Sequence, residues 1–188
     1  MDVAEGEMGT GVSRRGFLAT GLGAAATLLL ASPLEAAVRR LPERSLNLYN
    51  THTGEWLKTV YWANGRYQSK SIAQASRFLR DHRSGAVHAI DPKLLDLMTA
   101  VHRRFGSKGA LHIISGYRSP QTNAMLASTS DGVAHQSLHV QGRAVDIRIP
   151  GYGVRTVGRA AASLKAGGVG MYPASDFVHI DTGRVRYW

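Results

Sequence analysis

The stretch 137–146, Ser-Leu-His-Val-Gln-Gly-Arg-Ala-Val-Asp, constrains this chain more than any other. It offers an imidazole, His139, and a carboxylate, Asp146, with six residues between them. Gly142 sits between the two as a turn residue, and the alternating run 144–149 reads as a strand. In that strand Ala144, Asp146 and Arg148 face one way, while Val145, Ile147 and Ile149 face the other. A third candidate, His179, lies downstream in Phe-Val-His-Ile-Asp, where strand alternation sends His179 and Asp181 to the same face. Zinc binds imidazole and carboxylate, and a catalytic zinc uses three protein ligands with one position left open. Two histidines and an aspartate meet that requirement if the fold brings them together. Asp181 then either orients His179 or reaches the reaction itself.

The rest of the chain is expected to build a scaffold of mixed strands and helices. Residues 46–50 and 56–62 read as strands rich in Leu, Val, Tyr and Trp, and Asn64-Gly65 signals a hairpin turn before a short return strand at 66–68. Ser69 or Ser71 caps a helix running to about residue 83. Asp91-Pro92 opens a second helix, with Leu94, Leu95, Met98, Val101 and Phe105 on one side and Gly106 as its stop. A strand at 111–115 and a helix from Ser119-Pro120 to about 128 precede a polar loop, 129–141, that has room for one turn of helix. A helix at 154–165 and strands at 169–172 and 177–181 complete the chain. No regular βαβ alternation appears, so the expected class is α+β, a single domain whose central, largely antiparallel sheet is flanked by helices.

Residues 1–37 read as an export leader rather than as part of the fold. Ser13-Arg14-Arg15-Gly16-Phe17-Leu18 is a twin-arginine pattern, followed by an Ala/Gly-rich apolar run of signal type that is short for a membrane span, with retention as an anchor the alternative to cleavage near residue 37. Residues 38–45 read as a linker and 46–188 as the catalytic domain, exported to the periplasm with no stable membrane span once the leader is removed. The chain has no cysteine, which excludes disulfides and thiolate metal sites. Removing the leader takes away two arginines and four acidic residues (Asp2, Glu5, Glu7, Glu35), moving the net charge from +10 to +12. Such a surface favours anionic partners, and in an exported protein these are cell-wall polymer or anionic lipid. Nucleic acid is not expected, because the arginines are scattered without interleaved aromatics.

Ser137, His139, Gly142, Ala144 and Asp146 fit the Ser-x-His-x-x-Gly-x-Ala-x-Asp signature at every defined position, and here the chain resembles the LAS-type zinc peptidases. Ile114-Ser115-Gly116-Tyr117-Arg118-Ser119, Ala166-Gly167-Gly168-Val169-Gly170, Phe177-Val178-His179-Ile180-Asp181-Thr182-Gly183 and Asn50-Thr51-His52-Thr53-Gly54-Glu55 are similar to the MepK/YcbK-type murein endopeptidases of the D-Ala-D-Ala metallopeptidase superfamily. The resemblance implies one zinc per chain, held by His139, Asp146 and His179, and hydrolysis of peptide cross-links in peptidoglycan. It implies that Arg118 holds a substrate carboxylate or polarises the scissile carbonyl. It places the acidic general base three residues before the last histidine, at Asp176, with Asp181 as the other candidate. The competing readings are a catalytically silent wall-binding module and a D-Ala-D-Ala carboxypeptidase of the same fold. His135, four residues before His139, reads as a polar loop residue. His52, His82, His88, His102 and His112 lack metal-like spacing and read as structural.

Overall fold

The alternating and apolar runs pair into one eight-stranded sheet in the computed structural model, which describes residues 42–106, 109–129, 134 and 136–188. The expected leader, the first four residues of the expected linker, and His135 lie outside the described residues. The strands are β1 (Arg44–Asn50), β2 (Trp56–Ala63), β3 (Arg66–Tyr67), β4 (Leu111–Ser115), β5 (Ala144–Arg148), β6 (Gly168–Tyr172), β7 (Phe177–Asp181) and β8 (Arg186–Tyr187). They lie in the order β3-β2-β1-β4-β5-β7-β6-β8. All neighbours are antiparallel except β1 with β4 and β6 with β8. The largely antiparallel α+β expectation therefore holds.

Four helices accompany the sheet among the described residues: α1 (Ser69–Phe78), α2 (Pro92–Arg103), α3 (Pro120–Thr129) and α4 (Val154–Ser163). None is long and apolar enough to cross a membrane. Alternation in the strands sends Leu46, Leu48, Leu111, Ile113, Val145, Ile147, Val178 and Ile180 into one buried cluster, where Leu94, Leu95, Met98 and Val101 of α2 meet them. Burying each such side chain contributes about 1.5–3 kcal/mol. The start of α2 follows its sequence: Pro92 occupies the first turn, and the Asp91 carboxylate accepts from Lys93 N at 2.9 Å. Asn64 and Gly65 both take positive φ, 54° and 74°, as a type I′ hairpin turn requires.

Two local features shape the site, the first of them a departure from expectation. The first helix stops at Phe78 instead of near residue 83. Tyr117 N takes the Leu79 carbonyl at 2.7 Å, and the Asp81 side chain organises a turn by accepting from Arg83 N at 2.9 Å. Within the expected loop 129–141, residues Leu138–Gln141 wind into a 3₁₀ turn. At the N-terminal edge, β1 begins at Arg44, two residues early, because Arg44 pairs with Trp62, lies over its ring at 4.6 Å and reaches Asp96 at 2.7 Å.

Candidate metal centre

Each of the three expected ligands is set by local chemistry. His139 rides on the 3₁₀ turn, whose first residues are capped by the Ser137 hydroxyl accepting from His139 N at 3.3 Å. Gly142 ends that turn in the left-handed conformation, φ 65°, and its amide returns to the His139 carbonyl at 3.2 Å. A side chain at Gly142 would run into the Ala89 carbonyl, so the signature glycine answers both to φ and to space. Asp146 and His179 lie directly opposite each other in the β5–β7 register. Gly170 on β6 continues the same row, and its missing side chain leaves room for the Trp188 ring beside His179, with ring centroids 5.3 Å apart.

The donor atoms converge. His139 Nε2 lies 3.1 Å from His179 Nδ1 and 3.2 Å from Asp146 Oδ1, and His179 Nδ1 lies 2.9 Å from the same oxygen. Among the described residues this is the cluster able to hold a metal ion. The far ring nitrogens are already committed. His139 Nδ1 lies 2.7 Å from the Gly116 carbonyl, which can only accept, so the proton sits on Nδ1 and Nε2 is bare. His179 Nε2 donates to Asp181 Oδ2 at 3.0 Å, so in the neutral ring Nδ1 is the nitrogen left to face Asp146. Two ring nitrogens and a carboxylate oxygen therefore converge on one point, where a metal ion would take the place of the proton that His179 shares with Asp146. The carboxylate–imidazole pair of Asp181 and His179 is also the arrangement that fixes a metal-binding histidine. The residues fit zinc.

Electrostatics follow the burial. Burial presses the Asp146 carboxyl upward, but the His139 and His179 imidazoles outweigh it and hold the group well below the usual carboxylate range. Burial pushes His139 down, only partly offset by Asp146. At His179 burial also acts downward, yet hydrogen bonds to Asp146 and Asp181 prevail and raise it. Asp181 is fully buried and held low, because burial is outweighed by its bonds to His179, Arg186, Gly183 N and Gly168 N. Arg186 alone contributes two donors, at 2.8 and 3.1 Å.

Arg118 comes to the same place. Its backbone N–H reaches the His139 carbonyl at 3.3 Å, and its guanidinium NH2 stands 3.8 Å from Asp146 Oδ2. Only 9% of the residue is exposed, and its Nε has no hydrogen-bond partner. A cleft of about 330 Å³ opens over the cluster, with Asp146, His179 and Arg118 on its walls.

The two acidic candidates fare differently. Asp181 is at the site, with its oxygens occupied by the five contacts above. Asp176 is not brought to the cluster. It closes a 3₁₀ turn (Pro173–Ser175) in the left-handed conformation, φ 51°, and its exposed carboxylate pairs with Arg148 Nε at 2.8 Å. His52, expected to be structural, instead lines the cleft together with Arg83 and Tyr172. No spacing rule could have found His52, which stands 87 residues before His139; the six-residue likeness around it was the only signal. Trp188 was also missed. Its indole N–H donates to the Tyr172 hydroxyl at 2.8 Å.

Comparison with known proteins agrees with this geometry. The family described as "Peptidoglycan L,D-endopeptidase MepK" matches residues 39–188. The protein of that name from Escherichia coli strain K12 is 40% identical over 176 residues, covering 94% of this chain and 97% of the relative. A "Probable peptidoglycan L,D-endopeptidase MepK" from Haemophilus influenzae is 36% identical over 177 residues, 94% of this chain and 95% of its own. Matched along nearly its whole length, and with the ligand cluster assembled, the chain belongs to the MepK family of peptidases.

Proposed function

We propose that this chain is a zinc-dependent peptidoglycan endopeptidase that hydrolyses an L,D peptide bond in cross-links between stem peptides, acting in the periplasm after twin-arginine export. The observation that carries this reading is the convergence of His139 Nε2, Asp146 Oδ1 and His179 Nδ1 beneath an open cleft. Held by these three residues, zinc supplies Lewis acidity and activates water for attack at neutral pH. Asp181 keeps His179 in the tautomer that exposes Nδ1, and the Gly116 carbonyl does the same for His139.

The other tasks fall to the cleft walls. Arg118, a permanently charged fork beside Asp146, is placed to hold the scissile carbonyl oxygen as negative charge develops there. Proton transfer needs a titratable group that is free to change charge. Asp181 is fully bonded and Asp176 is paired with Arg148, so we assign this step to His52. Its loop is fixed by Asn50, whose side-chain oxygen accepts from His52 N at 2.9 Å. Its ring stacks on His82, with centroids 4.1 Å apart and planes 6° apart. Burial, assisted by the neighbouring His52 and Arg83, pushes His82 down to about 4 and keeps it uncharged at neutral pH.

The test is mass spectrometry of products from defined cross-linked muropeptides. Opening of the cross-link by the zinc-loaded chain is expected, and its loss in His139→Ala together with the bound zinc. Full hydrolysis by that variant would overturn the reading, and release of a terminal residue without cross-link opening would replace it with a carboxypeptidase. In the same assay His52→Gln is expected to lose about 100-fold or more in kcat, the usual worth of a general acid–base, and Asp176→Asn far less.

A further inference from the structure

The charge on the cleft wall is one-sided. Beyond the ligand cluster, its charged lining consists of two guanidiniums, Arg83 and Arg118. The carboxylate that lines it, Asp146, is turned to the two imidazoles. Arg118 is more than nine-tenths buried, with Nε unpartnered and NH2 no closer than 3.8 Å to an acid. Arg83 makes no side-chain hydrogen bond or ion pair among the described residues; its backbone N–H alone is engaged, by Asp81. Arg118 is thus under-satisfied, and the solvent-exposed Arg83 leaves a second guanidinium on the cleft wall without a protein partner among the described residues. Their proximity is felt: burial first, and the charge of Arg83 as well, lower the Arg118 guanidinium.

This pairing is built into the backbone. Asp81, only 1% exposed, uses Oδ1 to hold Arg83 N at 2.9 Å. Its Oδ2 holds Ser119 N at 3.0 Å and the Ser119 hydroxyl at 2.7 Å. One buried carboxylate thus ties down the residue that carries the first guanidinium and the neighbour of the second. The side chain of Arg83 takes no part in that linkage, so it is free for a ligand.

We infer that Arg83 is a specificity-determining residue that binds a free carboxylate of the stem peptide next to the scissile bond, while the buried fork of Arg118 serves the scissile carbonyl. The inference rests on the endopeptidase reading and names a substrate feature for it. An L,D bond joins the carbonyl of an L-configured centre to an amine on a D-configured one. That D-centre carries its own carboxyl group, which stays anionic unless it is amidated or extended. Arg118 stands against Asp146 and serves the carbonyl, so Arg83 is the guanidinium left for this carboxylate. Its planar fork can bind both oxygens at once.

The experiment compares two cross-linked peptides that differ only at the D-centre, as free acid or as carboxamide. The zinc-loaded chain is expected to favour the acid by about 10- to 100-fold in kcat/KM, the worth of a charge-assisted bond. In Arg83→Gln this ratio collapses toward one, and Arg83→Lys gives an intermediate value. The same ratio is read without turnover, from calorimetric affinities of the uncleavable amine-side product as acid and as amide. Thermal melts verify that both variants are folded. Equal treatment of acid and amide by the parent chain, or a preference that survives in Arg83→Gln, overturns the inference. If neither peptide is cleaved, the endopeptidase reading fails, and the product affinities still decide whether Arg83 binds the carboxylate.

Discussion

His179 shows how much of a metal site lies beyond its ligands. Its Nδ1 faces Asp146 and His139 because its Nε2 is claimed by Asp181, and Asp181 is in turn immobilised by Arg186, Gly168 N and Gly183 N. Removing the negative charge while keeping the shape isolates this effect. Asp181→Asn is expected to weaken zinc binding by about 10- to 100-fold, as loss of a histidine's carboxylate partner does elsewhere. Competition with a chromophoric chelator measures it. Unchanged affinity would mean that β7 alone fixes the ring. The sequence pointed to Asp181 through strand alternation, since two residues on one face of β7 must neighbour each other. It could not say that all of the carboxylate's bonding capacity is used. That depends on Arg186 from β8 and on backbone amides that only the folded chain brings near.

At the scale of elements, the site hangs on connections rather than on strands. The loop after β4 carries Arg118, the turn after α1 carries Arg83, and Asp81 clamps the two together. Burial presses its carboxyl upward, but Thr122, both bonds from Ser119 and the Arg83 amide overcome this, and the group is held well below the usual carboxylate range. The sign follows. A depressed folded-state value contributes stability that is complete above the unfolded-state value of about 3.9 and is lost as pH falls through it toward the folded-state value. Asp81→Asn is therefore expected to cost about 2 kcal/mol at pH 7, the loss of a buried charged hydrogen-bond network. The gap to the parent chain should narrow below about pH 4. Urea melts at pH 7 and pH 3 provide the comparison, and a gap independent of pH would show that Asp81 acts through shape alone. From sequence, Asp81 lay inside an expected helix. The helix ends early because tertiary partners, Tyr117 N and Ser119, outbid local propensity.

For the whole molecule, we propose that the basic balance and the twin-arginine pattern at 13–18 serve one compartment and one kind of polymer. In that proposal a net charge of +10 over 188 residues suits an anionic wall, and the guanidiniums in the cleft would extend the same preference to a single substrate group. Export is tested by fractionation. With Arg14 and Arg15 both replaced by lysine, the chain is expected to remain in the cytoplasm, because the twin-arginine route reads the guanidinium pair. Periplasmic recovery of that variant would remove the compartment argument and leave the catalytic one standing.

The sequence by itself pointed to the cluster of His139, Asp146 and His179 that the fold assembles, and to the class of fold. Ligand identity is a matter of residue type and local turn chemistry: Ser137 caps, Gly142 turns, and alternation puts Asp146 and His179 on sheet faces. These are short-range facts that a linear pattern records. Tertiary structure decided what surrounds the ligands. His52 enters the cleft from the β1–β2 connection, Arg83 from the turn after α1, and Asp176 pairs instead with Arg148 at the end of β5. Each of those outcomes depends on which distant strand becomes a neighbour in the sheet, and spacing along the chain does not encode that.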